Sequence, residues 1–218
     1  MSRMSGRTLV LTLIVAIPVA AVAALVYAAR IPSVSEPTGV RVTAAPAATS
    51  ATSSTTEVKR RRLSLDEAIK ELELIRPPRP KYADDFTLPT AAGASFRLSA
   101  HRGRPIFMNF WATWCPPCLE EMPSMERLWR DQKQSGFVML AVTVDADPKV
   151  VAPFVERHGF TFTVGLDAKM ELAQIYGVRA LPSSFVIDRD GQLTAVAIGP
   201  RAWDNVAAQS LIERLVAR

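Results

Sequence analysis

The 218-residue sequence predicts an α/β fold: a central mixed sheet flanked by helices, opened by a hairpin and preceded by one transmembrane helix. Three observations carry this reading. Short apolar runs bounded by turn residues alternate with stretches of helical periodicity, as strands and helices do around a sheet. The last two strand-like runs are joined by Arg189-Asp190-Gly191, a hairpin signal, so the sheet mixes parallel and antiparallel pairs. An uncharged run of 22 residues, Thr8 to Ala29, stands near the N-terminus.

That run can cross a bilayer as a helix, since about 20 apolar residues suffice. Arg3 and Arg7 precede it, which keeps the short N-terminus cytoplasmic and sends the rest across the membrane. Its length favours an uncleaved anchor over residues 1–30, longer than the roughly 7–15 apolar residues of an ordinary signal peptide. The small residues Ala28 and Ala29 leave cleavage open as the other route. Either route exports the remainder to the periplasm or another extracytoplasmic space, with an inner-membrane, single-pass location if the anchor stays. No cysteine lies near this segment, which excludes a lipoprotein.

Residues 31–63 read as a flexible linker, because Ile31 to Thr56 is rich in Ala, Ser, Thr, Pro and Val and cannot bury enough surface to fold. Lys59-Arg60-Arg61-Arg62 reads as a solvated or membrane-facing patch of this tether. Residues 64–82 read as an accessory helix and a Pro-rich connector. Ser64-Leu65-Asp66-Glu67 is a capping box, Leu65, Ile69, Leu72 and Ile75 follow at helical spacing, and Pro77-Pro78 ends the helix. Packing against the domain is the favoured role, with a membrane-proximal interaction helix as the other reading.

The domain then spans 83–218. Asp85 to Leu88 and Ser95 to Leu98 flank an Ala/Gly turn and predict a hairpin. Pro105 to Trp111 and Phe137 to Val144 predict buried strands, with a helix from Pro116 to about Gln134 between them. A helix follows over Pro148 to His158, ended by Gly159, then a strand over Phe160 to Val164 and a helix from Ala168 to Tyr176, stopped by Gly177. Ser184 to Asp188 and Leu193 to Ile198 are the hairpin strands. Trp203 to Val216 closes the chain as an amphipathic helix, with Val206, Leu211, Leu215 and Val216 on one side.

The net charge of +5 misleads. From Asp84 onward the chain has 14 Lys and Arg against 15 Asp and Glu, so the basic excess lies upstream. The domain lacks the electrostatic footprint of a nucleic-acid binder.

The chain holds two cysteines, Cys115 and Cys118, in Trp114-Cys115-Pro116-Pro117-Cys118. Such a pair can be a redox site, half of a zinc site or an inert staple. Zinc takes four ligands, and the only histidines, His101 and His158, stand in unrelated segments. A loop this small constrains the unfolded chain little, which weakens the staple. Cys115 falls where a buried strand meets a helix, facing free amides and the positive dipole end that stabilise a thiolate. Pro116 and Pro117 suit the first helical turn. Cys118 lies one turn further in and more sheltered. Position thus makes Cys115 the attacking sulfur and Cys118 the resolving one. Met122 and Met125 read as core, and His101 and His158 as surface loop and helix-end residues.

The run Asn109-Phe110-Trp111-Ala112-Thr113-Trp114-Cys115-Pro116-Pro117-Cys118-Leu119-Glu120-Glu121-Met122-Pro123 resembles the active-site run of thioredoxin-like proteins, and more narrowly of the membrane-anchored TlpA/ResA/CcmG group. The resemblance covers roughly Asp84 to Val216. It implies a thioredoxin-like fold, with Asp145 to Val164 as the group's extra helix–strand insertion. It implies that Ala180-Leu181-Pro182-Ser183-Ser184-Phe185 is the loop whose proline is cis and packs opposite the cysteines. Ordinary thioredoxins carry a buried aspartate where this chain has Asn109. The group instead carries a glutamate three residues after the second cysteine, here Glu121, which by resemblance handles protons or tunes the thiols; the alternative is an ordinary helix carboxylate, as Glu120 is. Pro-Pro between the cysteines departs from Gly-Pro. The resemblance implies a protein-disulfide reductase working by exchange through Cys115 and Cys118, with no cofactor. Trp114, Pro116, Pro117, Leu181 and Pro182 would receive the substrate, and Trp111 with Trp114 would cover an apolar rim; the alternative for both tryptophans is plain core or rim packing. The implied partners are protein disulfides, of apocytochrome c or copper-assembly type, and a membrane thiol-electron donor. A non-catalytic metal-binding or metallochaperone module is the alternative.

Overall fold

The computed structural model describes residues 62–218. The expected anchor over 1–30 and all but the last two residues of the linker 31–63 lie outside the described residues. Among the described residues no helix is long and apolar enough to cross a membrane.

A small antiparallel hairpin, β1 (Thr87–Pro89) with β2 (Ser95–Arg97), precedes the main sheet. The sheet is built from β3 (Ile106–Trp111), β4 (Val138–Thr143), β5 (Thr163–Leu166), β6 (Ser183–Ile187) and β7 (Leu193–Ile198), in the order β5-β4-β3-β6-β7. β3 runs parallel to β4 and β4 to β5, while β6 is antiparallel to both β3 and β7. The helices are α1 (Leu65–Glu71), α2 (Pro116–Gln132), α3 (Val151–His158), α4 (Glu171–Ile175) and α5 (Val206–Val216).

β3 and β4 are buried at every position, which is why their sequences are continuous apolar runs rather than alternating ones. Side chains of β3 alternate between two covered faces. Phe107 meets Trp203 edge-on at 4.6 Å and Asn109 bonds Glu121 of α2, so this face carries the redox helix. Phe110, on the other face, packs against Phe185 at 5.6 Å and Tyr176 at 6.1 Å.

Several elements are shorter than their sequence patterns, each because backbone groups are committed elsewhere. α1 stops at Glu71 and Glu73 takes φ 52°. Ile75, expected on the apolar stripe of that helix, instead pairs with Val196 on the β7 edge, its N–H bonding Val196 O at 2.7 Å, and it stays 54% exposed. The predicted strand over 160–164 begins only at Thr163. Phe160 N–H closes the α3 C-terminus on Val155 O behind Gly159 (φ 67°), and Thr161 gives its N–H and Oγ1 to Glu126. α4 begins at Glu171 rather than Ala168, because Met170 is left-handed (φ 57°) and Asp167 caps Leu172 and Ala173. α5 begins at Val206 behind an Asn205 cap, with Trp203 outside the helix; Val206, expected on the buried side, is 39% exposed.

Candidate active site

Cys115 is the N-cap of α2, with Pro116 and Pro117 in the first turn where their missing N–H groups cost nothing. Its carbonyl accepts from Cys118 N–H at 3.0 Å and Leu119 N–H at 3.1 Å, which turns Cys118 back beneath it. The two sulfurs are bonded to each other across a Cα separation of 5.3 Å. Cys115 is 5% exposed and Cys118 is not exposed at all, so of the two only Cys115 has any exposure to solvent.

Asp145, just past β4, holds the strand-to-helix loop from below. It accepts from Thr113 N–H at 3.0 Å, from Thr113 Oγ1 at 2.7 Å and from Thr143 Oγ1. These bonds compensate a carboxylate that is 4% exposed and fix Thr113, two residues before Cys115. Sequence reasoning missed Asp145 as a support. The available signal was an acid directly at the end of an apolar strand, where an uncompensated charge would not be buried.

Glu121 lies beyond the first turn of α2 and is 3% exposed, unlike an ordinary helix carboxylate. It accepts from Asn109 Nδ2 at 2.7 Å, Arg201 N–H at 3.0 Å and Trp203 Nε1 at 3.0 Å. Burial pushes its carboxyl above the usual glutamate range; the three hydrogen bonds and the Arg201 charge oppose this without cancelling it. Asn109 Nδ2 also donates to Ser184 Oγ at 2.9 Å, which ties the acid to β6. Ser124 Oγ donates to Glu121 O at 2.7 Å and accepts from Trp203 N–H at 2.9 Å, clipping the segment before α5 onto α2. Arg201, Trp203, Ser124 and Ser184 were not legible as site residues, since each reaches Glu121 or Asn109 only through tertiary contact.

The Leu181–Pro182 peptide is cis. Pro182 is buried and its carbonyl accepts from Gly199 N–H at 2.9 Å, so this loop is joined to the segment that holds Glu121. Leu181 and Pro117 are half-buried, Pro116 is exposed, and Trp114 is 67% exposed. Trp111 corrects the expectation of an apolar rim. It is fully buried, packs on Phe154 of α3 at 5.5 Å, and its Nε1 has no partner; it belongs to the core. His101 stacks on Phe96 at 4.5 Å and His158 on Phe154 at 4.0 Å. A groove of about 550 Å³ runs between the hairpin and the α3–β5 segment, past Phe96, Val155, Phe160 and Phe162, and includes neither cysteine.

A bonded cysteine pair at the N-cap of a helix that follows a fully buried central strand agrees with the family comparison. Residues 80–211 match the Redoxin family model.

The chain belongs to the Redoxin family.

This redoxin is 38% identical over 124 residues to the thiol-disulfide oxidoreductase ResA of Geobacillus kaustophilus (strain HTA426), covering 57% of this chain and 71% of that one. It is 37% identical over 126 residues to ResA of Bacillus anthracis, covering 58% and 73%. Among solved structures it is similar to a DsbE-type thiol:disulfide interchange protein of Chlorobium tepidum, at TM-score 0.58 and 33% identity, over 63% of this chain and 97% of that one. The redoxin is a protein-disulfide oxidoreductase of ResA type with a thioredoxin-like fold.

Proposed function

We propose that this redoxin is an extracytoplasmic reductant of particular protein disulfides, tethered to the inner membrane by residues 1–30 and recharged by a membrane thiol-electron donor. The observation that supports the direction of attack is the asymmetry of the pair, Cys115 capping the helix with 5% exposure and Cys118 wholly enclosed. In the reduced protein the Cys115 thiolate attacks a substrate disulfide. That S–S bond breaks, a mixed disulfide forms, and the first substrate sulfur leaves as a thiolate. Cys118 then gives its proton to Glu121 and attacks Cys115 Sγ. The second substrate sulfur leaves, the Cys115–Cys118 bond forms, and two electrons have passed to the substrate. Glu121 suits the acceptor role, because it follows Cys118 by one turn on the same helix and is already held above the usual carboxylate range. Trp114, Pro116, Pro117, Leu181 and Pro182 receive the substrate backbone around Cys115. The substrates fitting this reading are haem-attachment disulfides of apocytochrome c or disulfides of copper-assembly proteins. Among the described residues no three His, Cys, Asp or Glu side chains group as a metal site requires, and no observation favours the metal-binding alternative.

Thiol trapping in cells tests the proposal. Acid quenching and alkylation should find a substantial reduced fraction of Cys115 and Cys118, and the Cys118→Ala variant should accumulate mixed disulfides through Cys115 that mass spectrometry can identify. A pair found wholly oxidised at steady state sinks the reductant reading. Partners trapped only by Cys115→Ala would reverse the two roles.

A further inference from the structure

Helix α1 ends against the segment that holds Glu121, and one residue makes the join. Arg201 donates through Nε to Leu72 O at 2.8 Å, through Nη2 to Glu73 O at 3.4 Å and through Nη1 to Pro200 O at 2.9 Å. Leu72 is the C-cap of α1, and the left-handed Glu73 follows it, so these are carbonyls that a helix terminus leaves without partners. A guanidinium there supplies donors and a charge opposite to the dipole end. The backbone N–H of the same residue donates to Glu121 Oε2 at 3.0 Å. Side chain and main chain of Arg201 thus bind the accessory helix and the buried carboxylate.

We infer that Arg201 is a positioning residue for Glu121, and that α1 belongs to the support of the redox site because its last carbonyls hold the guanidinium in place. The inference rests on the reading of Glu121 as proton acceptor. Arg201 is the charged group acting on Glu121; Asn109 from β3 and Trp203 from the segment before α5 are neutral. On its own helix the neighbouring titratable groups are the exposed Glu120 and, once reduced, Cys115 and Cys118. A nearby cation and a fixed donor both favour the ionised carboxyl. Freed from α1, the 199–203 segment holds its N–H less firmly on the acid, and burial acts with less opposition. The carboxyl then keeps its proton to higher pH.

The test is the pH dependence of alkylation of the reduced pair, measured on the 218-residue chain in detergent for wild type, Glu121→Gln, Arg201→Ala, Arg201→Lys and the Glu121→Gln/Arg201→Ala double variant. Glu121→Gln should remove one titration step. Arg201→Ala keeps the backbone N–H but removes the charge and the tie to α1, and should move that step upward in pH. Arg201→Lys should recover part of the shift, and the double variant should match Glu121→Gln. If Arg201→Ala does not fold, Arg201→Gln makes the same comparison with a neutral donor. A Glu121→Gln profile identical to wild type overturns the acceptor role itself. An altered Glu121→Gln profile beside an unmoved Arg201→Ala profile overturns the link alone, as does an Arg201 shift that persists in the double variant.

Discussion

Glu121 is a carboxyl taken almost wholly out of water, and its three neutral or backbone donors only partly offset that. The consequence for stability has a definite sign. Burial raises the folded pKa above the ordinary 4.5, so the folded chain holds this proton to higher pH than the unfolded chain does. The stabilising contribution is complete below that ordinary value and is lost as pH rises through the folded one. Urea unfolding of the oxidised protein between about pH 4 and about pH 8 should show wild type losing stability relative to Glu121→Gln as pH rises. A constant difference across that range would contradict the raised carboxyl.

At the scale of elements, buried acids act as joints between segments distant in sequence. Glu126 of α2 accepts from Thr161 N–H at 2.8 Å and from Arg130 Nε at 2.6 Å, and so sets where α3 ends and β5 can begin. Asp167 acts locally instead, accepting from Leu172 N–H at 3.2 Å and Ala173 N–H at 2.8 Å in the first turn of α4. Replacement of Asp167 by alanine should destabilise the protein by about 1–2 kcal/mol, as loss of a helix cap does, measured as a lower urea midpoint with unchanged slope. An unchanged midpoint would mean that α4 stands without its cap. Gly165 makes a different kind of joint. A Cβ there would lie 3.2 Å from Leu88 Cδ1 and 3.4 Å from Leu140 Cδ1, so a side chain at this position would press on the hairpin and on β4.

For the molecule as a whole, Trp203 is where the sheet, α2 and the chain leading into α5 meet. It is fully buried against Phe107, and its two N–H groups serve Glu121 and Ser124. Truncation to alanine should cost about 3–5 kcal/mol, the range for a large buried aromatic, and should leave Glu121 short of a donor. Chemical denaturation would measure the first effect, and a loss below about 1 kcal/mol would show that the three elements are held together without it. The near-neutral charge from Asp84 onward gives the domain no bulk field with which to steer charged partners.

The sequence by itself determined the α/β class, the hairpin pair at the end of the sheet and the place of the cysteines at a strand–helix junction. Those features rest on local period and on turn chemistry, which short segments express without help from the rest of the chain. Tertiary structure decided which side chains face the same interior point. It put Trp111 in the core rather than on the rim, because β3 is covered on both faces. It took Ile75 off its helix to pair with the β7 edge. It gathered Asn109 from β3 and the Arg201 N–H and Trp203 from the segment before α5 on Glu121, a grouping with no local signature. Burial and hydrogen bonding depend on those contacts, so the position of a reactive group can be read from sequence while its surroundings cannot.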